Sequence, residues 1–486
     1  LRDMVRRMAH EWGYRYFKMD GLWTGTGTRL QYVNHAYRDD DLGRPRRHDP
    51  TITPIEAYAR GLDLIREVAG PAVFLLGCSQ TQNMRSFGPS MGRVHAMRVG
   101  PDNGASPGGL TRGPAFSSRL FFLHRRVWYN DPDPVYVRPG FPLHMARSSV
   151  SWTALSGSLH SSSYQYADLP PERLQVLQAS MPSHDLKTVV PVDYLENDLP
   201  ELWHLKDDRA PAGRDVIGLF NWDIAMHRTL ACPLDRVELP EAEAYVGFDF
   251  WADQFLPPFK DCIEVNLPPG GCSIIALRSV ASHPQVISTS RHLTQGVVSL
   301  HDERWDPSRA TLSGVSDVVG RDPYELRIVA PVGASSWNSV SARLEEGPDG
   351  AEIGCEQDGP MLRARISSPE TAKVAWHITF EAGEVMAPAA GPVQGFEAAC
   401  DEEGNVRLTW EPQATSCYRL LRDGAPLADT RTVGYDDLVG PGGEHRYTIL
   451  ARNWDGTWSD PSQVSVAVPE AKVPVSLEDA PPLPDV

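Results

Sequence analysis

The hydrophobic pattern of this 486-residue chain changes character at about residue 184. Before that point, helical periodicity alternates with short apolar runs. Apolar residues at 1, 4, 5, 8, 9 and 12 precede a run at 14–19, and a helix capped by Thr53 and started by Pro54 precedes a run at 72–76. The same pattern predicts strands at 94–99, 128–130 and 158–164 and helices at 118–127, 143–155 and 171–181. Such alternation is typical of a parallel α/β sheet or barrel.

Short segments of alternating polarity, separated by Gly and Pro turns, make up the rest of the chain. This pattern of short alternating segments is typical of antiparallel β-sandwiches. The sequence therefore predicts a multidomain protein, α/β followed by all-β. The predicted parts are an α/β region at 1–184, β-sandwiches at 185–280 and 281–387, a compact β module at 393–468 and a disordered, Pro-rich tail at 469–486.

The charge and the cysteines narrow the function classes. With 46 Lys and Arg against 63 Asp and Glu, the net charge is −17, which would repel a polyanion, so nucleic acid is not a predicted partner. No apolar run approaches the roughly 20 residues of a membrane span. The seven cysteines are spread singly without a C-x-x-C pair, which argues against a structural zinc site. We predict no metal and no cofactor; disulfide pairing and oligomeric state stay open.

Polar side chains stand at the predicted carboxyl ends of the strands in the first region, the end that carries the active site of a parallel barrel. In chain order they are Lys18 and Asp20, Cys78 and Ser79, Arg98 and Asp102, Asp131 and Asp133, and the run 160–163. Two carboxyl groups that meet across one bond are the requirement for glycoside hydrolysis. Asp20 and Asp102, 82 positions apart, can meet only through the fold.

Each of these carboxylates also has an ordinary interpretation, because Asp at a strand end often caps the next helix. Lys18 favours the catalytic interpretation of Asp20, since residues two apart in a strand share a face and an ammonium keeps a nucleophile ionised. Asp102 would need to hold a proton as general acid, which a neighbouring arginine opposes. We therefore predict that Arg98 contacts sugar hydroxyls instead. Trp23, in a Gly- and Thr-rich loop, is the candidate for stacking on a sugar, with a core position as the alternative.

Four motifs in order resemble those of the α-galactosidase clan, glycoside hydrolase families 27 and 36. They are Lys18-Met19-Asp20, the Arg98 to Asp102 segment, Asn130-Asp131-Pro132-Asp133, and the stretch 163–174. The resemblance implies a retaining α-glycosidase with a (β/α)8 TIM-type barrel, of which 1–184 would be the C-terminal part. It also implies Asp20 as nucleophile and Asp102 as acid/base, with Lys18, Arg98 and Cys78 contacting the sugar. Asp131 and Asp133 we interpret mainly as anchors of backbone amides.

The resemblance also implies three barrel strands before Leu1, which would hold the residues that recognise the axial 4-hydroxyl of galactose. We therefore predict an oligosaccharide or glycan substrate without naming its sugar. The module at 393–468 resembles a fibronectin type III domain through Trp410, Tyr418 and Tyr447, and is interpreted as a spacer or docking surface. These accessory β modules favour a secreted or periplasmic location.

Two alternatives to hydrolysis are open. An α-galactosyl transferase of the raffinose synthase type would use the same residues. A carbohydrate-binding or scaffold protein with a degenerate barrel would use none of them for catalysis.

Overall fold

A computed structural model gives the structure of the chain, and the residues described below are those of this structure. They are 1–26, 48–78, 84–187, 189–209, 213–331, 336–383, 390–401, 404–413, 415, 417–430, 433–440, 442–454 and 456–469. The predicted tail thus lies outside the described residues, apart from its first position. None of the helices in these ranges combines the length and the apolar character that crossing a membrane requires. No cysteine in them forms a disulfide.

The first region is a four-stranded parallel sheet with helices on one face. Its strands, in the spatial order β1-β2-β3-β4, are β1 (Tyr16–Met19), β2 (Phe74–Cys78), β3 (Ala96–Arg98) and β4 (Tyr129–Asp131). Its helices are α1 (Arg2–Arg6), α2 (Pro54–Ala69), α3 (Met84–Ser90), α4 (Pro107–Leu110), α5 (Arg112–Ser117), α6 (Leu143–Leu155) and α7 (Pro171–Gln178), with a π-helical turn at Arg7–Glu11 and 3₁₀ turns at Leu22–Thr26, Ser118–Leu123 and Tyr166–Asp168. Phe17, Leu75, Met97 and Trp128 share one apolar core with Val5 of α1. The opposite face carries Leu76 and Ala96 and, at the strand ends, Cys78, Arg98 and Asp131.

The start of α2 is as the sequence predicts. Thr53 accepts a hydrogen bond from the Glu56 amide at 3.2 Å, and Glu56 Oε2 accepts one from the Thr53 amide at 2.7 Å, a reciprocal capping box. We expect Thr53→Ala to destabilise this helix by about 1 kcal/mol, measured as faster amide hydrogen exchange along α2. Thr53→Ser keeps the oxygen and should exchange like the original protein. Equal exchange in all three proteins would show that the cap contributes nothing.

The prediction of a fifth parallel strand at 158–164 is wrong. In its place the Leu159 amide donates to Asn130 O at 2.8 Å, and an isolated parallel bridge joins Val135 and Ser162. The segment between the two contacts carries Pro132 and Pro134. Because proline lacks an amide hydrogen, it interrupts the ladder that a fifth strand would need. Within the described residues the parallel sheet ends at β4 and does not close into a barrel.

Two antiparallel sheets with a shared core follow. Six strands lie in the order β10-β9-β12-β7-β6-β5, and β11 pairs with β8. Their bounds are β5 (Val189–Pro191), β6 (Leu202–Asp207), β7 (Arg214–Phe220), β8 (Arg228–Pro233), β9 (Tyr245–Asp249), β10 (Gln254–Phe259), β11 (Cys262–Leu267) and β12 (Cys272–Ser279). One face of the six-stranded sheet packs on β8 and β11, for example Ile217 near Cys232 and Ile263. Its other face packs on α6 and α7, with Trp152 and Trp203 in edge contact.

Gly218 of β7 lies against Leu155 at the end of α6. A Cβ at this position would lie 2.5 Å from Leu155 Cδ2 and 2.8 Å from a Phe220 ring carbon. We therefore expect Gly218→Ala to destabilise the protein by about 1–3 kcal/mol, seen as a lower thermal unfolding midpoint. Gly354→Ala is the matched control, because a Cβ there meets nothing within 4 Å. The expectation fails if the two variants unfold at the same temperature.

Two four-stranded antiparallel sheets come next, in the orders β13-β16-β19-β18 and β14-β15-β20-β17. Their bounds are β13 (Gln285–Thr289), β14 (Leu300–Asp306), β15 (Thr311–Val318), β16 (Tyr324–Val329), β17 (Trp337–Glu346), β18 (Glu352–Asp358), β19 (Met361–Ser367) and β20 (Ala372–Ala382). Both sheets contribute to one core around Trp376. A buried cluster joins them to the preceding sheet: Arg278 Nη1 lies 2.7 Å from Glu303 Oε1, and Arg214 Nη2 lies 3.2 Å from Glu303 Oε2.

The C-terminal strands form sheets of three and four strands, in the orders β21-β22-β25 and β24-β23-β26-β27. Their bounds are β21 (Glu397–Cys400), β22 (Asn405–Thr409), β23 (Tyr418–Arg422), β24 (Ala425–Thr430), β25 (Gly434–Leu438), β26 (Gly443–Ala451) and β27 (Ser462–Val468). Trp410, Tyr418 and Tyr447 all lie in the core that these sheets share. The fibronectin type III assignment and the predicted domain boundaries stay predictions.

Candidate functional site

One row of side chains crosses the carboxyl ends of the four parallel strands. Cys78 of β2 is in register with Arg98 of β3, and Arg98 is in register with Asp131 of β4. Met19, the last residue of β1, is in register with Gly77, and Asp20 directly follows it and contacts Cys78 through their side chains. In-register residues of neighbouring strands point to the same face of the sheet. The row Asp20–Cys78–Arg98–Asp131 therefore lies on the face opposite the helices.

Asp20 and Lys18 are exposed at the edge of this row, whereas Cys78 is buried. Burial raises the pKa of the Cys78 thiol to about 12, an effect that Arg98 opposes and that a hydrogen bond to the Asp20 carboxylate reinforces. The thiol thus stays protonated at neutral pH and donates to Asp20. The sequence predicted Lys18, Asp20 and Cys78 at strand ends, and the structure brings all three together.

Arg98 occupies the centre of the row, where its side chain is 3% exposed. Its Nη2 donates to Asp102 Oδ1 at 2.8 Å, and its Nη1 lies 2.7 Å from Asp133 Oδ1. Burial acts to lower the pKa of this guanidinium, but Asp133 and Asp131 outweigh it, so the pKa is raised. The expectation that Arg98 points away from Asp102 is therefore wrong, whereas its contact with sugar hydroxyls stays a prediction. A buried guanidinium needs carboxylate partners, and Asp102, four residues on, is within its reach.

Asp102, which contacts Arg98, has a side chain that is 66% exposed, in contrast to buried Arg98. It follows Gly100, where a Cβ would lie 3.2 Å from Ser117 Oγ of α5. The segment after β3 therefore lies close against α5. Asp102 projects from this segment towards the Arg98 guanidinium.

Asp131 and Asp133 are buried and each accepts a backbone amide, as the anchor interpretation expects. Asp131 Oδ1 accepts from the Asp133 amide at 3.0 Å, and Asp133 Oδ2 accepts from the Asn103 amide at 2.7 Å. Burial raises the pKa of Asp131. Burial also raises the pKa of Asp133, to about 6, against the opposing effect of Arg98. Asp133 thus both anchors the backbone and lies in contact with the site.

Asn103 is a site residue that the sequence did not single out. Its Nδ2 donates to Pro132 O at 3.0 Å, and Tyr136 donates to its carbonyl oxygen at 3.4 Å. Gly113 leaves room for this side chain, because a Cβ there would lie 2.8 Å from Asn103 Oδ1. The contacts join the segment after β3 to the segment after β4. An Asn directly after the candidate Asp102 was the only sequence signal.

The remaining candidates have other positions. Trp23 lies in the 3₁₀ turn Leu22–Thr26, but its side chain falls outside the described residues, as does all of Ser79. His160 Nε2 is 2.9 Å from Ser180 Oγ, and burial lowers the pKa of this imidazole to about 4. His160 is thus a neutral, partly buried side chain. The part of the chain that the structure describes holds no group of three or more His, Cys, Asp or Glu side chains placed to bind a metal ion.

The arrangement supplies two exposed carboxylates at the ends of β1 and β3, two parallel strands separated by β2, with a buried thiol and a buried guanidinium between them. Asp20 contacts Cys78, and Asp102 contacts Arg98, the in-register neighbour of Cys78. One carboxylate beside an ammonium and a second at a separate position can act as nucleophile and as proton donor.

The solved structures to which the chain is similar include glycoside hydrolases; no protein-family model matches it. A family 27 β-L-arabinopyranosidase from Geobacillus stearothermophilus is 14% identical with a TM-score of 0.41, over 58% of this chain and 61% of that one. α-Galactosidase I from Mortierella vinacea is 11% identical with a TM-score of 0.40, over 58% and 72%. The isomalto-dextranase of Arthrobacter globiformis is 13% identical with a TM-score of 0.40, over 78% and 70%. The chain thus spans about three fifths of the length of the Geobacillus enzyme.

Proposed function

We propose that the chain carries the catalytic residues of a retaining α-glycosidase, similar to the α-galactosidases, that hydrolyses terminal α-linked sugars. The observation that carries the proposal is the pair of exposed carboxylates, Asp20 and Asp102, joined through buried Cys78 and Arg98 at the strand ends. The order of the four sequence motifs supports it. The parallel sheet would then be part of a (β/α)8 barrel, whose active site is at this end of the strands.

The proposed reaction has two displacements. Asp20 attacks the anomeric carbon while Asp102 protonates the leaving oxygen, which gives a glycosyl ester on Asp20 and a free aglycone. Asp102, now a carboxylate, takes a proton from water, and the hydroxide oxygen displaces Asp20 from the anomeric carbon. The sugar leaves with its original configuration, and both carboxyl groups return to their starting states.

The other predicted residues have roles around this pair. Lys18, exposed beside Asp20, is proposed to donate to a sugar hydroxyl. Cys78 orients the Asp20 carboxylate. Arg98 is proposed to keep its contact with the sugar through the guanidinium that also binds Asp102. The secreted or periplasmic location is part of the same proposal.

The test is a panel of aryl α- and β-glycosides incubated with the protein, with the configuration of the first-formed sugar followed by NMR. We expect turnover of one α-glycoside above the others, and an α-configured product before mutarotation. A β-configured product would replace double displacement with inversion. Turnover of β-glycosides alone would overturn the α specificity.

One observation favours a second candidate, a carbohydrate-binding protein without catalysis. Asp102 Oδ1 accepts a hydrogen bond from Arg98 Nη2, so this carboxylate oxygen already has a partner within the chain. If this candidate is right, no glycoside in the panel is hydrolysed, while sugars still bind in calorimetry with an affinity that Asp20→Asn changes.

A further inference from the structure

We propose that Asp133 is a positioning residue for Asp102, the acid/base. Asp133 binds the Arg98 guanidinium, which contacts Asp102, and it also binds the amide of the peptide bond that follows Asp102. This inference rests on the proposed function. It assigns Asp133 a role in proton donation without contact to the substrate.

The first of these contacts is the ion pair between Asp133 and Arg98. Asp133 Oδ1 lies 2.7 Å from Nη1 of Arg98, and Nη2 of the same guanidinium lies 2.8 Å from Asp102 Oδ1. A guanidinium is planar and rigid, so fixing one nitrogen fixes the direction of the other. Asp133 is 7% exposed on its side chain, whereas Asp102 is 66% exposed. The buried Asp133 carboxylate is therefore fixed in position, and through Arg98 it determines the position of the exposed Asp102 carboxylate.

The second contact is a hydrogen bond from the Asn103 backbone to Asp133. Asp133 Oδ2 accepts the amide hydrogen of Asn103 at 2.7 Å, and this amide belongs to the peptide bond that joins Asp102 to Asn103. A charge-assisted hydrogen bond of this length is about twice as strong as a neutral one. The two oxygens of Asp133 thus contact the acid/base from its side chain and from its main chain.

Asp133 is itself held in place. Its amide donates to Asp131 Oδ1 at 3.0 Å, which closes a turn across Pro132. Its φ of 82° is in the left-handed region, which Asp adopts more readily than most residues but still at a cost. A backbone conformation of this kind is retained where the surrounding contacts over-determine it. Here those contacts run to Asp131, Arg98 and Asn103.

Asp133 also bears on the charge around Asp102. The charged and titratable groups facing Asp102 within the described residues are Arg98 from β3, and Asp133 and Tyr136 from the segment after β4. Asp133 and Asp102 bind the same guanidinium, so the two carboxylates share one positive charge.

The test compares two aryl glycosides of the preferred sugar with Asp133→Asn. A phenyl leaving group needs protonation, whereas 2,4-dinitrophenolate departs without it. We expect kcat/KM to fall about 100-fold for the phenyl glycoside and to stay within about threefold for the dinitrophenyl glycoside. Asp133→Glu restores the charge and should recover part of the phenyl rate.

Asp193→Asn is the matched control, because Asp193 is also buried and accepts the amides of Glu201 and Leu202, remote from the row. We expect it to change the rates of both glycosides by the same factor. Equal losses on both glycosides in Asp133→Asn would reduce Asp133 to a structural anchor and overturn the inference. Failure of the proposed function is separate, since the original protein would then hydrolyse neither glycoside.

Discussion

Asp20→Asn is expected to lower kcat on every aryl glycoside by at least about 10⁴-fold, because the amide cannot form the glycosyl ester. Asn has nearly the same shape as Asp, and its side-chain oxygen can still accept from the Cys78 thiol. The fold and the neighbouring contacts should therefore persist. The measurement is turnover of the preferred aryl α-glycoside, with thermal unfolding to confirm that the variant is folded.

Asp63→Asn provides the control for this substitution. Asp63 is exposed on α2, where it pairs with Arg93 at 2.8 Å, and a surface pair of this kind contributes about 0–1 kcal/mol. Its removal should leave turnover unchanged. If Asp20→Asn also retains the original turnover, Asp20 has no part in the mechanism and the proposed function fails with it.

Asp102→Ala is expected to separate the two displacements. The phenyl glycoside should lose about 10²–10⁴-fold in rate, because no acid protonates the leaving oxygen. A dinitrophenyl glycoside should still form the ester on Asp20, which then accumulates because no base activates water. A burst of dinitrophenolate followed by slow turnover is the expected trace.

Azide distinguishes this account from a general loss of structure. It attacks the ester without a base, so it should accelerate turnover of Asp102→Ala and give the α-glycosyl azide. Asp20→Asn forms no ester on residue 20, and azide should not restore the α product there. An azide effect that is the same in both variants would remove the distinct roles of the two carboxylates.

The elements that local signals specify were predicted well. The helix predicted at 143–155 is α6 (Leu143–Leu155), and α2 begins at the predicted cap. The helix predicted at 118–127 is instead a 3₁₀ turn over Ser118–Leu123, which directly follows α5. The strand predicted at 158–164 failed for a tertiary reason, since its partner segment carries two prolines. Helical periodicity can be recognised within a single segment of the sequence, whereas strand pairing depends on two segments that are distant in the sequence.

The candidate site divides in the same way. Lys18 on β1 and Asp20 directly after the strand, two positions apart, could be placed on one face from the sequence alone, and the structure has both exposed at the edge of the row. The direction of Arg98 could not, because it depends on Asp133, 35 positions away and in a left-handed conformation. The contact of Asp133 with the Asn103 amide spans 30 positions. No local pattern encodes such a contact.

The cluster of Glu303 with Arg214 and Arg278 bears on how this protein can be dissected. Cutting the chain near residue 280 would place Glu303 on one fragment and both arginines on the other. Each fragment would then expose an uncompensated charge in what had been an interior surface, and breaking a buried pair in this way costs about 3–5 kcal/mol. Fragments cut there should be poorly soluble alone and recover when mixed, so a boundary near residue 280 should be avoided in recombinant work.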